Sequence, residues 1–298
     1  MTIRSSFRDT LWAIAGQSGV ASLAGQLFHS PKSLRILMYH DVPQEVLPTF
    51  ESHLKWLSQQ FEIISPTDLV TGNSRSERPK VLLTFDDGCE DSYELVAPLL
   101  ESLDLRGLFF VCPGFSGLSR EASFELMGRS SSLLGEKSRD SRWRRMSRQQ
   151  IVDLDKRGHG IGNHTMTHVP LARLEPEEML REISNGAATL QSWLGHPSPF
   201  FAWTYYWNEI SPASLKIAQA HHQHCFSPCS GLNRWPISRP LLWRTGVDVS
   251  KPLSSFKSQI SGIVDYMYSA QRQKLVSMWN MSAPSTDSKV SKHLASKL

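Results

Sequence analysis

The chain has 298 residues, 40% apolar and 20% charged, an ordinary globular composition that excludes a chain disordered throughout. The 32 basic and 28 acidic residues leave a net charge of +4, too small a surplus to point to nucleic acid, and no such partner is expected. No run of about 20 apolar residues is present, so no spanning helix is expected. Four dispersed cysteines (Cys89, Cys112, Cys225, Cys229) fit a reducing compartment better than a disulfide framework.

Residues 1–33 read as an N-terminal helical segment. It is mildly apolar but interrupted by Gly16 and Gly19, without the charged, apolar and small regions of a secretory leader. A cytoplasmic location is the resulting expectation. Packing on the domain is the simplest role for the segment, and peripheral contact with a membrane stays open. Residues 34–39 form an apolar strand pattern, and residues 50–61 carry apolar positions at helical spacing. Residues 81–85 make a second strand, running straight into Asp86-Asp87-Gly88; residues 92–103 make a helix in which Pro98 predicts a kink. A third strand at 108–111 stops at Pro113-Gly114.

Residues 115–145, rich in Ser, Gly and Arg, read as an insertion or lid. A helix over 147–157 follows, with Ser147 as N-cap, Gln150 closing a capping box and Gly158 ending it. A short segment then ends in Gly162-Asn163-His164. The helix at 175–194 has Pro176 in its first turn and Gly195 past its end. Strand patterns recur at 200–203, 224–227 and 241–247, and residues 282–298 read as a disordered tail. Strands alternating with helices imply a mostly parallel sheet, open or closed into a barrel. In a barrel, chemistry gathers at the C-terminal strand ends, where Asp86 and Asp87 fall.

Adjacent carboxylates repel each other and are a poor choice for packing. Their side chains diverge on an extended chain, so one can ligate a metal while the other stays free as a base. An Asp-Asp-Gly turn opening a helix is the structural alternative. His164 and His168, four apart, would share one face of a helical turn, and neutral imidazole suits zinc and similar ions. With Asp87 they make three protein ligands and leave positions open for water and substrate, the pattern of a catalytic site.

Thr84-Phe85-Asp86-Asp87-Gly88 followed by Gly162-Asn163-His164-Thr165-Met166-Thr167-His168 resembles the polysaccharide deacetylases of the NodB-homology group, carbohydrate esterase family 4. The resemblance runs over about residues 34–249, includes Met38-Tyr39-His40-Asp41-Val42, and is nearest to the exopolysaccharide-biosynthesis type. It implies an α/β fold, a distorted (β/α)7-type barrel, as a single domain over residues 34–281 with an N-terminal helix. It also implies metal-dependent hydrolysis of the acetamide of an N-acetylated sugar in a polysaccharide or glycan precursor. Carried over by residue, Asp86 is the catalytic base, and Asp87, His164 and His168 hold a divalent metal, zinc foremost. Arg244 would orient Asp86, and the backbone N–H at Tyr205 would receive the oxyanion.

The chain departs from the family in Phe201-Ala202-Trp203-Thr204-Tyr205-Tyr206, where Thr204 replaces a Pro and Tyr206 a Gly, and no Leu-x-His general acid follows Val249. The sequence names no clear proton donor in its place: protonated Asp86 could return a proton, or His40 could, although a structural role is the simpler reading of His40. These departures leave one alternative, a catalytically weakened or inactive glycan-binding member of the same fold; hydrolysis of a non-sugar amide stays open separately, because nothing in the sequence fixes the sugar ring. A second histidine- and cysteine-rich stretch, residues 221–229, lacks two separated ligand pairs, so a structural zinc is not expected there.

Overall fold

The computed structural model describes residues 30–119, 121–123, 125–126 and 144–282. Apart from their edges, the expected N-terminal segment and the tail lie outside the described residues, as does residues 127–143 of the expected insertion. Seven parallel strands close on themselves: β1 (Ser33–Tyr39), β3 (Lys80–Phe85), β4 (Leu108–Val111), β5 (Gly160–Asn163), β6 (Phe200–Ala202), β7 (His224–Ser227) and β9 (Leu241–Gly246). β9 returns to β1, and β1 pairs with β3, which completes the barrel. Two short strands outside the sequence expectation extend it, β2 (Glu62–Ile63) beside β3 and β8 (Asn233–Arg234) antiparallel to β1.

Strand alternation sorts the side chains. Leu34, Ile36, Leu82, Leu108, Phe110, Phe200, Ala202, Phe226 and Leu242 form one buried cluster drawn from six of the barrel strands, which is the barrel interior. β5 contributes Gly160 and Gly162 instead. A Cβ at Gly162 would lie 2.4 Å from the Phe110 ring, so the bare backbone makes room for that ring. The opposite faces of β1, β3 and β4 bury Leu37, Tyr39, Leu83, Phe85 and Phe109 against the surrounding helices.

The helices are α1 (Leu47–Gln60), α2 (Pro66–Thr71), α3 (Ala97–Ser102), α4 (Arg148–Lys156), α5 (Pro176–Leu194), α6 (Pro212–His221), α7 (Leu253–Ile260), α8 (Ile263–Met267) and α9 (Ser269–Ser282). The capping box of α4 is present: Gln150 N–H donates to Ser147 Oγ, and Ser147 N–H donates to Gln150 Oε1 at 2.7 Å. α5 ends at Gly195 in the left-handed conformation. The expected helix at 92–103 is present, its first part a π-helical turn, Ser92–Val96, that runs directly into α3. Pro98 lacks the N–H that would continue regular bonding, which accounts for a break in that region.

Helices α7 to α9 were not anticipated. They are tied to the barrel by Arg35, fully buried on β1, whose guanidinium donates to both carboxylate oxygens of Asp265 at 3.1 and 2.9 Å. Among the described residues, no helix is long and apolar enough to cross a membrane.

Candidate functional site

The interior parity of β3, set by Leu82 and Thr84, continues to Asp86 just past the strand end. That of β9, set by Leu242, continues to Arg244. Both side chains therefore enter the C-terminal mouth of the barrel, where Arg244 Nη1 donates to Asp86 Oδ1 at 2.6 Å. Arg244 is fully buried and Asp86 nearly so. The guanidinium also lies over the Phe110 ring, 5.2 Å from its centroid, which fixes its plane.

Asp87 takes a left-handed backbone, φ 71°, and Gly88 follows at φ 65°. With this backbone the Asp87 carboxylate faces two imidazoles. His168 Nε2 lies 3.0 Å and His164 Nε2 3.5 Å from Asp87 Oδ1, and His164 Nε2 is 3.9 Å from Asp86 Oδ2. One ligand atom from each of Asp87, His164 and His168 falls within 4.8 Å of the others. His164 Nδ1–H donates to Ala202 O at 2.9 Å, a bond that leaves Nε2 with its lone pair facing Asp87.

The donor set fits a divalent metal. A buried carboxylate oxygen faces two imidazole nitrogens, and Asp87 Oδ1 has no hydrogen-bond partner. Burial alone raises the Asp87 carboxyl, but the imidazoles of His168 and His164 outweigh it and hold the group well below the usual carboxylate range. Burial lowers His168 against the opposing pull of Asp87, which favours the neutral form a metal requires.

The histidine pair does not lie on a helical turn, contrary to the spacing argument. Residues 164–168 form a loop with Thr165 at φ 66° and His168 at φ 54°. Four of the five non-glycine residues with positive φ among those described, namely Asp87, Thr165, His168 and Tyr205, border this site. Such backbone costs about 1–3 kcal/mol per residue and persists where surrounding contacts enforce it.

Tyr205, at φ 59°, donates its hydroxyl to His168 O at 3.0 Å and packs its ring on the His168 imidazole at 4.7 Å. Thr204, buried, donates to Val169 O at 3.0 Å. Tyr206 has φ −117° and ψ 169°, extended backbone open to any residue, so the position does not require glycine. Its side chain is 63% exposed.

His40 is exposed and lines a cleft of about 490 Å³ with Met38, Pro228, Ser230, Gly246 and Lys251, between the C-terminal ends of β1 and β9 and helices α7 and α8. In the second histidine-rich stretch, His222 Nδ1–H donates to Ala218 O, its Nε2 receives the Asn163 amide, and Cys225 and Cys229 are buried in an apolar cluster. Two groups at the site escaped sequence reasoning. Arg145, read as part of the insertion, bridges to Cys89. Its neighbours seal this contact through Glu90 N–H to Arg144 O and Met146 N–H to Gly88 O, both 2.9 Å. Glu182 on α5 receives the Thr167 N–H at 2.8 Å. Neither residue sits in a pattern that a periodicity reads.

The polysaccharide deacetylase family profile matches residues 73–223. YxkH of Bacillus subtilis, whose name places it among the polysaccharide deacetylases, is 26% identical over 167 residues, 52% of this chain and 50% of that one. The chain thus spans about half the length of that relative. IcaB from Ammonifex degensii superposes with a TM-score of 0.59 at 21% identity, over 78% of this chain and 97% of that one. A de-N-acetylase from Aggregatibacter actinomycetemcomitans gives 0.59 at 15% identity, over 76% and 99%. At these identities the structural matches establish the barrel fold.

Proposed function

The chain belongs to the polysaccharide deacetylase family, and from that premise we propose that it is a metal-dependent deacetylase, hydrolysing the acetamide of an N-acetylated sugar in a polysaccharide or glycan precursor. The observation that carries this reading is the pairing of Asp86 with Arg244 beside the Asp87, His164 and His168 cluster at one barrel mouth.

Asp87, His164 and His168 would hold one divalent ion, with zinc favoured by a donor set of one carboxylate and two imidazoles. Such an ion supplies Lewis acidity, polarising an acyl carbonyl and acidifying water. Asp86, held by Arg244, accepts a proton from the attacking water. The backbone N–H at Tyr205 is offered to the oxyanion that develops on the acetyl group. As the C–N bond breaks, Asp86 returns its proton to the leaving amine, and His40 at the same mouth is a second donor. The cleft beside His40 gives the rest of the sugar a place to lie.

The test is acetate release from an N-acetylglucosamine oligomer. Wild-type protein should release acetate, lose that activity to a chelator and regain it with zinc, while Asp87→Ala and His164→Ala should be inactive. Release unaffected by chelator and by both substitutions would overturn the metal assignment. Binding of the oligomer without release would mark a glycan-binding protein instead.

A further inference from the structure

We infer that Glu182 is a positioning residue that sets metal affinity by holding the loop between the two histidines; the inference rests on the metal site proposed above. The loop contains two left-handed residues, Thr165 and His168. Isolated from its surroundings it would relax, since each such residue costs about 1–3 kcal/mol. One bond lies within the loop, His168 N–H to Thr165 Oγ1 at 3.0 Å, and contacts from outside complete the hold.

Glu182 makes three of the contacts that do so. Its backbone carbonyl accepts the Met166 N–H at 2.9 Å. Its carboxylate accepts the Thr167 N–H on Oε2 at 2.8 Å and the Thr167 hydroxyl on Oε1 at 2.7 Å. Hydrogen bonds to an ionised carboxylate are the stronger kind, and this pair grips one residue by backbone and side chain together. Thr167 is the residue immediately before His168.

From the other sides, Gly114 N–H donates to Met166 O at 2.9 Å and the Tyr205 hydroxyl to His168 O. The loop is thus clamped between α5 and the ends of the strands. Helix α5 reaches this position because Gly186, one turn beyond Glu182, packs against β5: a Cβ there would lie 2.4 Å from Asn163 Oδ1. Both carboxylate oxygens of Glu182 are committed to Thr167, so its role is to hold the loop, and the metal ligands remain Asp87, His164 and His168.

Zinc affinity is measured by chelator competition, with the visible spectrum of the cobalt-substituted protein reporting ligand geometry and unfolding of the metal-free protein reporting the fold. Glu182→Ala should weaken zinc about 10- to 100-fold, the usual loss for a group that orients metal ligands, and should alter the cobalt spectrum. Glu182→Gln should stay near wild type, because its amide oxygen can accept from Thr167 N–H while its nitrogen donates to Thr167 Oγ1. Wild-type affinity in Glu182→Ala overturns the inference. Should that variant fail to fold, Thr167→Val removes one of the two carboxylate contacts: several-fold weaker zinc supports the inference, and unchanged zinc overturns it. A wild-type protein that binds no zinc overturns the metal reading itself, and this inference with it.

Discussion

Arg244 Nη1 donates a 2.6 Å hydrogen bond to Asp86 Oδ1 across 158 positions of sequence, and both side chains are closed off from solvent. Removing the guanidinium strands a buried carboxylate, which costs about 3–5 kcal/mol. Arg244→Met should show that loss by chemical denaturation, and its kcat should fall about 100-fold, as expected when a reacting group loses its orientation. KM should change little. A variant with wild-type turnover would remove Arg244 from the account.

Tyr205 and Tyr206 should respond differently. Tyr205→Phe deletes the bond to His168 O and should cost about 0.5–1.5 kcal/mol, with weaker metal binding. Tyr206→Ala should lie within about 0.5 kcal/mol of wild type, since its side chain is exposed and its backbone extended. Thermal unfolding with and without zinc checks both.

Gly162→Ala places a methyl group against the Phe110 ring, which also lies under Arg244. Overpacking of this kind costs about 1–3 kcal/mol. The same shift should disturb the Arg244–Asp86 bond, so stability and kcat should fall together. A stable variant with normal kcat would show that the ring moves freely.

His222 should make folding acid-sensitive. Burial pushes its imidazole down to about 4, against the opposing bond to Ala218 O. Between that value and the unfolded value near 6.5, the unfolded chain binds the extra proton, so stability is present above that range and lost as pH falls through it. The effect is roughly 2–4 kcal/mol. Denaturation at neutral and mildly acidic pH should show a smaller loss in His222→Gln than in wild type.

Much of this site was legible because it follows local rules. The strand over residues 80–85 ends where its apolar run ends, and alternation then carries Asp86 into the barrel mouth. Ser147, Gln150 and Gly195 mark helix ends through their own backbone bonding. The four-residue spacing of His164 and His168 suggests a helical turn, whereas the loop's shape comes from Glu182, Gly114 and Tyr205, all distant in sequence. Arg145 against Cys89 and Arg35 with Asp265 were invisible for the same reason. Single tertiary contacts leave no period to detect.

On the proposed function, two adjacent carboxylates take two tasks, base at Asp86 and metal ligand at Asp87. The most direct test measures acetate release and bound metal on the same samples of Asp86→Asn and Asp87→Ala. Asp86→Asn should keep one zinc per chain and lose about 100- to 10,000-fold in turnover, the range for a general base; Asp87→Ala should lose the zinc as well. Loss of zinc from Asp86→Asn with retention in Asp87→Ala, or normal turnover in either, would contradict it.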